Sequence, residues 1–385
     1  MKKIRCGVAL TAAMLSLIPM TVLAQDSVRL YGIVDAGVGT ERITYKGKSY
    51  SRTGLQTGGS RFGLIGSHDL GDGYGISFQL ENGVNVLNGG GGGDRIFGRM
   101  ATLAVNHPRY GKLEAGRHYN LAALYQGEVD PFGGGYDLSG SDTTISSGKR
   151  LDNLLVYTTP NVSGFEGGIG YSFGADDFVR ANENKKRIEA AKKDDVVVPS
   201  FYGDHKHDRF FTTGLKYAVG PVKAIATYDI AWRRKDADDK KKGDRIDAYI
   251  LGASYDLGDA VTVYGNFAQT VGGWIAAKNM SHMPGDEEAR FGNLKFAKGF
   301  RARSGMVGAS YKNGPHLFMA SWQRAHANNT KLTKHKAPFN VYAVAHRYAL
   351  SKRTHVRSHV SYATNYAFVH GLKGTVVNTS VRHFF

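Results

Sequence analysis

The sequence has few of the residues that cross-link or interrupt a chain, with one cysteine and nine prolines among 385 residues. Cys6 lies in an N-terminal segment that we expect to be removed, so the mature chain has no thiol. This excludes disulfides, thiolate catalysis and cysteine-based metal sites together. Because proline is scarce, most tight turns must come from glycine, asparagine and aspartate. No stretch of the sequence approaches the roughly 18 consecutive apolar residues of a spanning helix.

The first 24 residues have the pattern of a secretory signal peptide. Basic residues at positions 2, 3 and 5 precede the apolar run 8–18, and Pro19 and a small-residue end at Ala24 follow it. We predict cleavage after Ala24, because the apolar run is too short to serve as a membrane anchor. Residues 25–385 show no change of composition typical of a linker, so we expect them to form one domain.

What the sequence does contain is glycine and aromatic side chains, with 50 Gly, 21 Tyr and 19 Phe. In one stretch, Phe165, Ile169 and Tyr171 share one face of an extended chain, and Glu166 and Ser172 share the other. The same period of two recurs over residues 78–81, 249–255 and 355–362. Such alternation predicts β-strands with one apolar face, although a soluble β-sandwich would alternate in the same way.

The connections between the strands separate these two architectures. Seven short turns are predicted, at residues 69–73, 107–111, 160–164, 219–221, 256–259, 312–315 and 350–353. Long connections are predicted near residues 41–58, 87–95, 119–149, 175–207, 234–243, 272–299, 328–336 and 367–373. An even number of strands, here about sixteen, with short turns at one end and long loops at the other, is typical of an outer-membrane barrel. Closure leaves no unpaired edge in lipid, and a barrel of this size encloses water.

The stretch 119–149 has no sustained helix or strand pattern, and structureless connections of about 30 residues are more often functional or disordered. It is not typical of disorder, because Leu121, Tyr125 and Phe132 need a surface to pack on. Pro131 and the glycines at 133–135 allow a sharp bend. We predict that this loop folds into the barrel and narrows its lumen.

Taken together, these residues resemble the general porins of Gram-negative bacteria, especially the neisserial and burkholderial type, over essentially all of residues 27–385. Each matching fragment is weak alone, but their shared order and spacing is specific. The matching fragments are Leu30–Gly37, Ser60–Ser67 with Asp69–Gly71, Phe78–Glu81, Phe97–Arg99, Gly116–Arg117, Asp130–Gly133, Tyr157–Pro160, Tyr348–Thr354 and Val381–Phe385.

The resemblance implies an all-β fold, a sixteen-stranded antiparallel transmembrane barrel that forms a homotrimer. It also implies a third extracellular loop folded into the lumen opposite a ladder of arginines. By position, Arg61 and Arg99 match basic residues on the second and fourth strands, and Arg150 matches the one that opens the sixth. Glu128 and Asp130 fall where the inward loop supplies its carboxylates. These five residues are the expected pore constriction, although the arginines could instead be ordinary solvated lumen residues or trimer contacts.

Several positions depart from this pattern or belong elsewhere in it. Arg117 is similar to the residue that contacts a neighbouring subunit's loop. Ile65 and Val156 stand at lumen positions where relatives often carry a basic residue, which puts the usual selectivity in doubt. His346 shares an outward face with Val344, an uncomfortable place unless it lies near the membrane boundary.

Signals for other chemistry are weak. His205 and His207 lack a carboxylate cluster of fixed spacing, so a metal site there is disfavoured. The glycine run 89–93 lacks the strand-to-helix setting of a phosphate cradle, and no Gly-x-Ser-x-Gly elbow stands out. We expect no cofactor and no enzyme activity. The charge runs at 185–195 and 233–242 are read as solvated loops or, alternatively, as contacts to lipopolysaccharide phosphates, whereas nucleic-acid binding is disfavoured.

We therefore expect an outer-membrane porin for passive diffusion of small hydrophilic solutes and ions. The formal charge is +17, and removal of the three basic signal residues lowers it to +14. Charges more than about 8 Å from the ion path are largely screened at physiological ionic strength, so the lumen decides selectivity. Its expected charges are nearly balanced, which predicts a modest anion preference. The alternatives are a solute-specific channel with a saturable binding site and an outer-membrane enzyme or adhesin.

Overall fold

The computed structural model describes residues 27–91, 95–133, 136, 139–146, 150–175, 208–233, 245–275, 295–328 and 337–385. Its strands are β1 Ser27–Tyr45, β2 Lys48–Gln56, β3 Arg61–Gly71, β4 Tyr74–Gly83, β5 Met100–His107, β6 Gly111–Tyr119, β7 Arg150–Thr158, β8 Phe165–Ser172, β9 Arg209–Val219, β10 Val222–Trp232, β11 Arg245–Leu257, β12 Val261–Trp274, β13 Lys295–Asn313, β14 His316–Ala327, β15 Phe339–Ala349, β16 Thr354–Thr364 and β17 Lys373–Phe384. One short helix, α1 (Leu121–Tyr125), and 3-10 turns at Gln126–Val129, Ser141–Thr143 and Tyr366–Phe368 lie between them. No helix among these described residues is long and apolar enough to span a bilayer.

All strands belong to one antiparallel sheet that closes on itself through pairing of β17 with β1. The seventeen strand segments make a wall of sixteen strands, because β2 and β3 occupy one position. β2 pairs with the later part of β1, from Gly37 onward, and β3 pairs with its beginning, as far as Ile33. The predicted sixteen-stranded closed barrel is therefore confirmed.

The prediction of a long connection over residues 41–58 is wrong in detail. β1 and β2 instead form a hairpin with a turn at Lys46 and Gly47, both of which have positive φ. The extension is paired through polar side chains, such as the Thr40 and Thr53 hydroxyls 2.9 Å apart. Because charged and hydroxyl side chains stand on both faces of the hairpin and separate its few apolar residues, such as Ile43 and Leu55, the apolar period that indicates a strand is missing from its sequence.

The predicted alternation places apolar side chains on the outside of the wall. Ile169 is 52% exposed and Leu251 is 58% exposed, whereas Glu166 and Ser254, on the other face of the same strands, are 8% and 5% exposed. An outward apolar face and an inward polar face is the arrangement that a barrel in lipid requires. The buried polar side chains therefore line the lumen rather than a conventional core.

The seven short turns lie at one end of the barrel and the longer connections at the other. Parts of the predicted long loops fall outside the described residues, at 92–94, 176–207, 234–244, 276–294 and 329–336. The same is true of the predicted signal peptide, of His205 and His207, and of nearly all of the two charge runs. The connection expected at 367–373 is compact, because the turn Tyr366–Phe368 is buried against Trp274 and Phe339 inside the barrel.

Candidate functional site

The connection between β6 and β7, residues 119–149, begins with a helix held against the barrel wall; we call this connection the inward segment. Asn120 caps α1, because its side-chain oxygen accepts a hydrogen bond from the backbone N–H of Ala123. Its amide nitrogen donates to a carboxylate oxygen of Asp229, 2.8 Å away on β10. The backbone N–H of Leu121 donates to the hydroxyl of Thr212 on β9 at 3.0 Å. The first turn is thus attached to two strands far along the chain.

Apolar packing continues this attachment. Leu121, Tyr125 and Val129 are buried in a cluster with Val156 and Phe210 of the wall. This explains why Val156 is apolar where a basic residue was expected, since the inward segment covers its side chain. Burying these side chains together removes apolar surface from water on the inner face of the barrel.

Glycines of the wall make room for the inward segment. A Cβ at Gly252 of β11 would lie 2.6 Å from Val129, and one at Gly168 of β8 would lie 2.8 Å from Leu121. Real Cβ atoms essentially never approach other atoms this closely. The absence of side chains at these two positions therefore sets how near the segment lies to the wall.

Further along, polar groups of the wall bind the backbone of the inward segment. Ser254 of β11 donates to the carbonyl of Glu128 at 2.9 Å, and Asn266 of β12 donates to the carbonyl of Val129 at 3.2 Å. Gln323 of β14 donates to the carbonyl of Ser139 at 2.6 Å. The described parts of the segment therefore lie along the inner face of the wall from β9 to β14.

The two carboxylates predicted for this segment have different surroundings. Glu128 is partly exposed and pairs with Lys223 of β10 at 3.2 Å. Asp130 is only 4% exposed and accepts hydrogen bonds from the backbone N–H groups of Phe132 and Ser141 at 2.9 and 2.7 Å. Burial raises the pKa of Asp130 to about 6, against the lowering effect of these hydrogen bonds. Asp130 thus fixes the shape of the segment.

The three predicted arginines come together around one acidic residue, Glu81 of β4. The Nε atoms of Arg61 and Arg99 lie 3.1 and 2.6 Å from its carboxylate oxygens. Arg150 stacks over the ring of Tyr119, with 4.2 Å between its guanidinium carbon and the ring centroid, and donates to the Tyr119 hydroxyl. Arg150 is also near enough to Arg99 and Glu81 to interact with them electrostatically.

A second group of arginines surrounds Asp35 of β1. Arg357 of β16 and Arg382 of β17 each place a nitrogen 2.7 Å from the same oxygen of Asp35. Arg347 of β15 lies within electrostatic range of Arg357. The residues between β2 and β3 link the two arginine groups, because Arg382 donates a hydrogen bond to the carbonyl of Gly58 and Arg61 donates one to the carbonyl of Gly59.

The wall from β15 through β17 and β1 to β7 therefore carries a continuous series of arginines, which we call the arginine ladder. Its members are Arg61, Arg99, Arg150, Arg347, Arg357 and Arg382. Six guanidinium groups and the two carboxylates of Glu81 and Asp35 give the ladder a formal charge of +4. The inward segment meets the ladder at Tyr136, whose ring lies 4.0 Å from the guanidinium carbon of Arg357.

Comparison with known proteins decides what this barrel is. A family model described as Gram-negative porin matches residues 9–367. The chain belongs to this porin family. An outer membrane porin protein of Bordetella pertussis is 36% identical over 98% of this chain and 99% of its own length. Outer membrane porin protein 32 of Delftia acidovorans is 31% identical over 68% of this chain and 70% of its own length.

Solved structures agree with the barrel fold of this porin. An anion-selective porin from Comamonas acidovorans superposes with a TM-score of 0.67 at 21% identity, covering 94% of this chain and 100% of that one. The outer membrane channel DcaP of Acinetobacter baumannii superposes with a TM-score of 0.61 at 15% identity, covering 96% of this chain and 100% of that one. The protein is thus an outer-membrane porin whose barrel encloses a channel, and the expected family, fold and location are confirmed.

Some lumen residues of the porin were not singled out from the sequence. Arg347 and Arg382 belong to the ladder and Asp35 pairs with Arg382, yet only local alternation could have indicated them. Arg382, for example, alternates with the outward Val381. Alternation alone would not have paired Arg382 with Asp35, because the two lie at opposite ends of the chain.

Two other positions in the porin gain a physical account. His346 does face outward, and its Nε2 lies 3.0 Å from Nδ1 of His316, which directly follows a short turn. It is therefore near the short-turn boundary of the barrel, where a polar ring is tolerated. Arg117 pairs with Asp152 at 2.6 Å and donates to the carbonyl of Gly98 in its own chain. Its contact with a neighbouring subunit stays a prediction.

Metal chemistry has little support in the described part of the porin. Among those residues, no group of three His, Cys, Asp or Glu side chains is placed to hold a metal ion.

Proposed function

We propose that this porin passes small hydrophilic solutes and ions by diffusion, with a modest preference for anions. The observation that carries this proposal is the +4 formal charge of the arginine ladder along the inner wall. A series of fixed positive charges along one side of the ion path raises the local concentration of anions and lowers that of cations. The related anion-selective porin from Comamonas acidovorans supports the same preference here.

The constriction in this proposal lies between the arginine ladder and the inward segment. Arg61, Arg99 and Arg150 supply its positive side, as predicted from the sequence. Glu128 supplies a negative charge on the inward segment, although Lys223 partly neutralises it. Asp130 acts indirectly. Its buried carboxylate does not face the ion path but stabilises the bend of the inward segment through its backbone hydrogen bonds. Opposed charges across the lumen produce a transverse field that orients polar solutes.

We also propose the assembly and placement implied by the family. The mature barrel begins after a signal peptide at residues 1–24, forms a homotrimer and directs its long connections to the outside of the cell. A related trimeric structure, OmpT of Vibrio cholerae, supports the trimer. The charge runs at 185–195 and 233–242 then face lipopolysaccharide phosphates. The family and its relatives point to a channel rather than an enzyme.

Reversal potentials in a planar bilayer test the anion preference. Purified trimers are inserted between two KCl solutions of different concentration, and the zero-current voltage gives the ratio of chloride to potassium permeability. We expect a chloride preference that weakens as salt screens the ladder. A strong potassium preference would overturn the proposal. A current that saturates with one solute would instead favour a solute-specific channel, and a barrel that does not conduct would favour an enzyme or adhesin.

A further inference from the structure

The outward face of β13 and β14 carries a group of basic residues at the long-loop end of the barrel. Its members are Arg301, Arg303, Arg324 and His326, and all four side chains are exposed. The alternate residues of the same strands face the lumen, as Gln323 shows by its bond to the inward segment. These four residues, which we call the outer basic cluster, therefore face away from the channel.

The strand register brings the outer basic cluster together. Arg303 pairs with His326 across the two strands, and Arg324 pairs with Gly305 two residues along. Directly opposite residues of an antiparallel pair have Cβ atoms about 5 Å apart, and diagonal neighbours are still within reach of long side chains. The side chains of Arg303 and Arg324 can therefore converge on one anionic group.

The outer basic cluster differs from the lumen arginines in having no acidic partner in the part of the chain that the structure describes. Arg303 donates a hydrogen bond of 2.9 Å to the amide oxygen of Gln269 on β12. Within the residues that the structure describes, none of Arg301, Arg303 and Arg324 forms an ion pair. Among the described residues, three guanidinium groups thus share one patch with no carboxylate paired to them, a balance that favours an anionic ligand.

An open groove of about 390 Å³ lies beside the cluster, and Arg303, Arg324 and His326 line part of it. The rest is mainly apolar, with Phe267 of β12, Val307 of β13 and Trp322 of β14. Gly305 lies among these side chains and contributes none of its own. The missing side chain leaves a recess among these apolar residues, directly below the guanidinium groups.

The depth of the cluster along the barrel matches a membrane boundary. Arg324 is eight residues after His316, the first residue of β14 at the short-turn end. A rise of about 3.4 Å per residue and a tilt of about 40° place Arg324 roughly 20 Å above that end. The apolar band of such barrels is about 25 Å tall, so the guanidinium groups lie near its upper edge. Arginine facing lipid is unfavourable at mid-depth but tolerated at this level.

We infer that the outer basic cluster and its groove bind a phosphorylated lipid of the outer leaflet. The guanidinium groups of Arg303 and Arg324 hold its phosphate, since arginine presents parallel donors that match phosphate oxygens. An acyl chain lies in the groove against Trp322 and Gly305. This site is on the barrel wall and is separate from the charge runs of the long loops. It rests on the proposed orientation, in which the long connections face the outer leaflet.

Binding to the folded porin in detergent tests this inference without depending on the orientation. Native mass spectrometry counts bound molecules of lipid A carrying two phosphates, of its dephosphorylated form and of phosphatidylcholine. We expect stoichiometric retention of the phosphorylated lipid alone. In the triple variant Arg301→Gln, Arg303→Gln, Arg324→Gln, retention should fall at least tenfold. Quenching of Trp322 fluorescence by brominated acyl chains should fall with it.

The matched control removes three positive charges from exposed short turns at the opposite end of the barrel, through Arg109→Gln, Lys352→Gln and Arg353→Gln, and should retain the lipid within twofold of the natural protein. Both variants should keep the natural conductance, because none of the changed residues lines the lumen, and this confirms that each barrel is folded. Equal lipid retention by the triple variant would overturn the inference. So would equal retention of the dephosphorylated lipid, or full competition by inorganic phosphate alone, which would indicate a simple anion site.

Discussion

The balance of the arginine ladder depends on single carboxylates at the residue scale. Glu81 is 4% exposed and is shared by Arg61 and Arg99, and Asp35 is 2% exposed and is shared by Arg357 and Arg382. At each of these buried carboxylates, the paired guanidinium groups offset the loss of hydration. Each acid therefore holds two guanidinium groups in place while cancelling only one of their charges.

Replacing Glu81 with glutamine should make the channel more anion-selective. The change leaves the side chain nearly the same size but raises the formal charge of the ladder by one. The measurement is the reversal potential in a KCl gradient. Asp72→Asn removes a negative charge from an exposed short turn, where Asn tolerates the positive φ of 51°, and should leave selectivity unchanged. A shift toward potassium in Glu81→Gln would contradict a role for the ladder.

Neutralising Arg61 and Arg150 together should move the reversal potential toward cations. Both guanidinium groups belong to the ladder around Glu81, so the double variant lowers its formal charge by two. Arg109→Gln with Lys352→Gln removes the same charge from exposed turns and serves as the control. If both double variants shift the potential equally, overall charge and not the lumen governs selectivity.

At the scale of elements, the inward segment is held by features that sequence reasoning could reach only in part. Its apolar residues predicted packing inside the barrel, but not that Gly168 and Gly252 of distant strands would make room for it. The alternating pattern predicted the strands wherever one face of the strand is directed to lipid. It failed in the β1–β2 hairpin, because polar side chains on both faces remove the period of two. Arg99 lies just before β5, where its outward neighbour Ala101 gave no indication that its side chain turns to Glu81.

A methyl group at Gly252 should displace the inward segment and raise single-channel conductance. The new Cβ would meet Val129 at 2.6 Å, and overpacking of this kind typically costs about 1–3 kcal/mol. Conductance in a planar bilayer and the temperature of heat modification are the two measurements. Gly265→Ala is the matched control, because its Cβ would face open space on the outside of β12, 4.0 Å from the backbone oxygen of Met306. Equal effects of the two variants would show that the wall glycines do not position the segment.

The attachment of the inward segment should also depend on pH through Asp130. Because its folded pKa is raised to about 6 from roughly 3.9 in an unfolded chain, the folded state binds the proton more tightly. The stability that the folded state gains from protonated Asp130 is fully present below about pH 4 and is lost as pH rises through 6. Limited proteolysis of the segment should thus be slower at pH 5 than at pH 7.5. Asp130→Asn should reduce this difference, whereas Asp142→Asn should preserve most of it.

At the scale of the whole molecule, closure of the barrel joins the two ends of the chain. β17 pairs with β1 from Ile33 and Phe384 to Thr44 and Lys373. The last residue extends this ladder, because Phe385 and Gly32 exchange backbone hydrogen bonds of 3.1 and 3.2 Å. Contacts so distant in sequence form late and are costly in chain entropy, so a barrel closes only when its final strand is complete.

Deleting Phe385 should lower the yield of folded barrel while leaving secretion intact. The ring of Phe385 packs over Gly32, where any Cβ added at Gly32 would collide with the ring. The backbone of Phe385 supplies the last two hydrogen bonds between β17 and β1. The deletion removes both contributions, so the open form persists with an unpaired edge that lipid cannot satisfy. Heat-modifiable protein in outer membranes should fall severalfold, whereas total exported protein measured by immunoblot should not. Phe385→Tyr keeps the aromatic ring and the backbone and should fold normally. Unchanged folded yield in the deletion would mean that the β1–β17 pairing closes without its terminal residue.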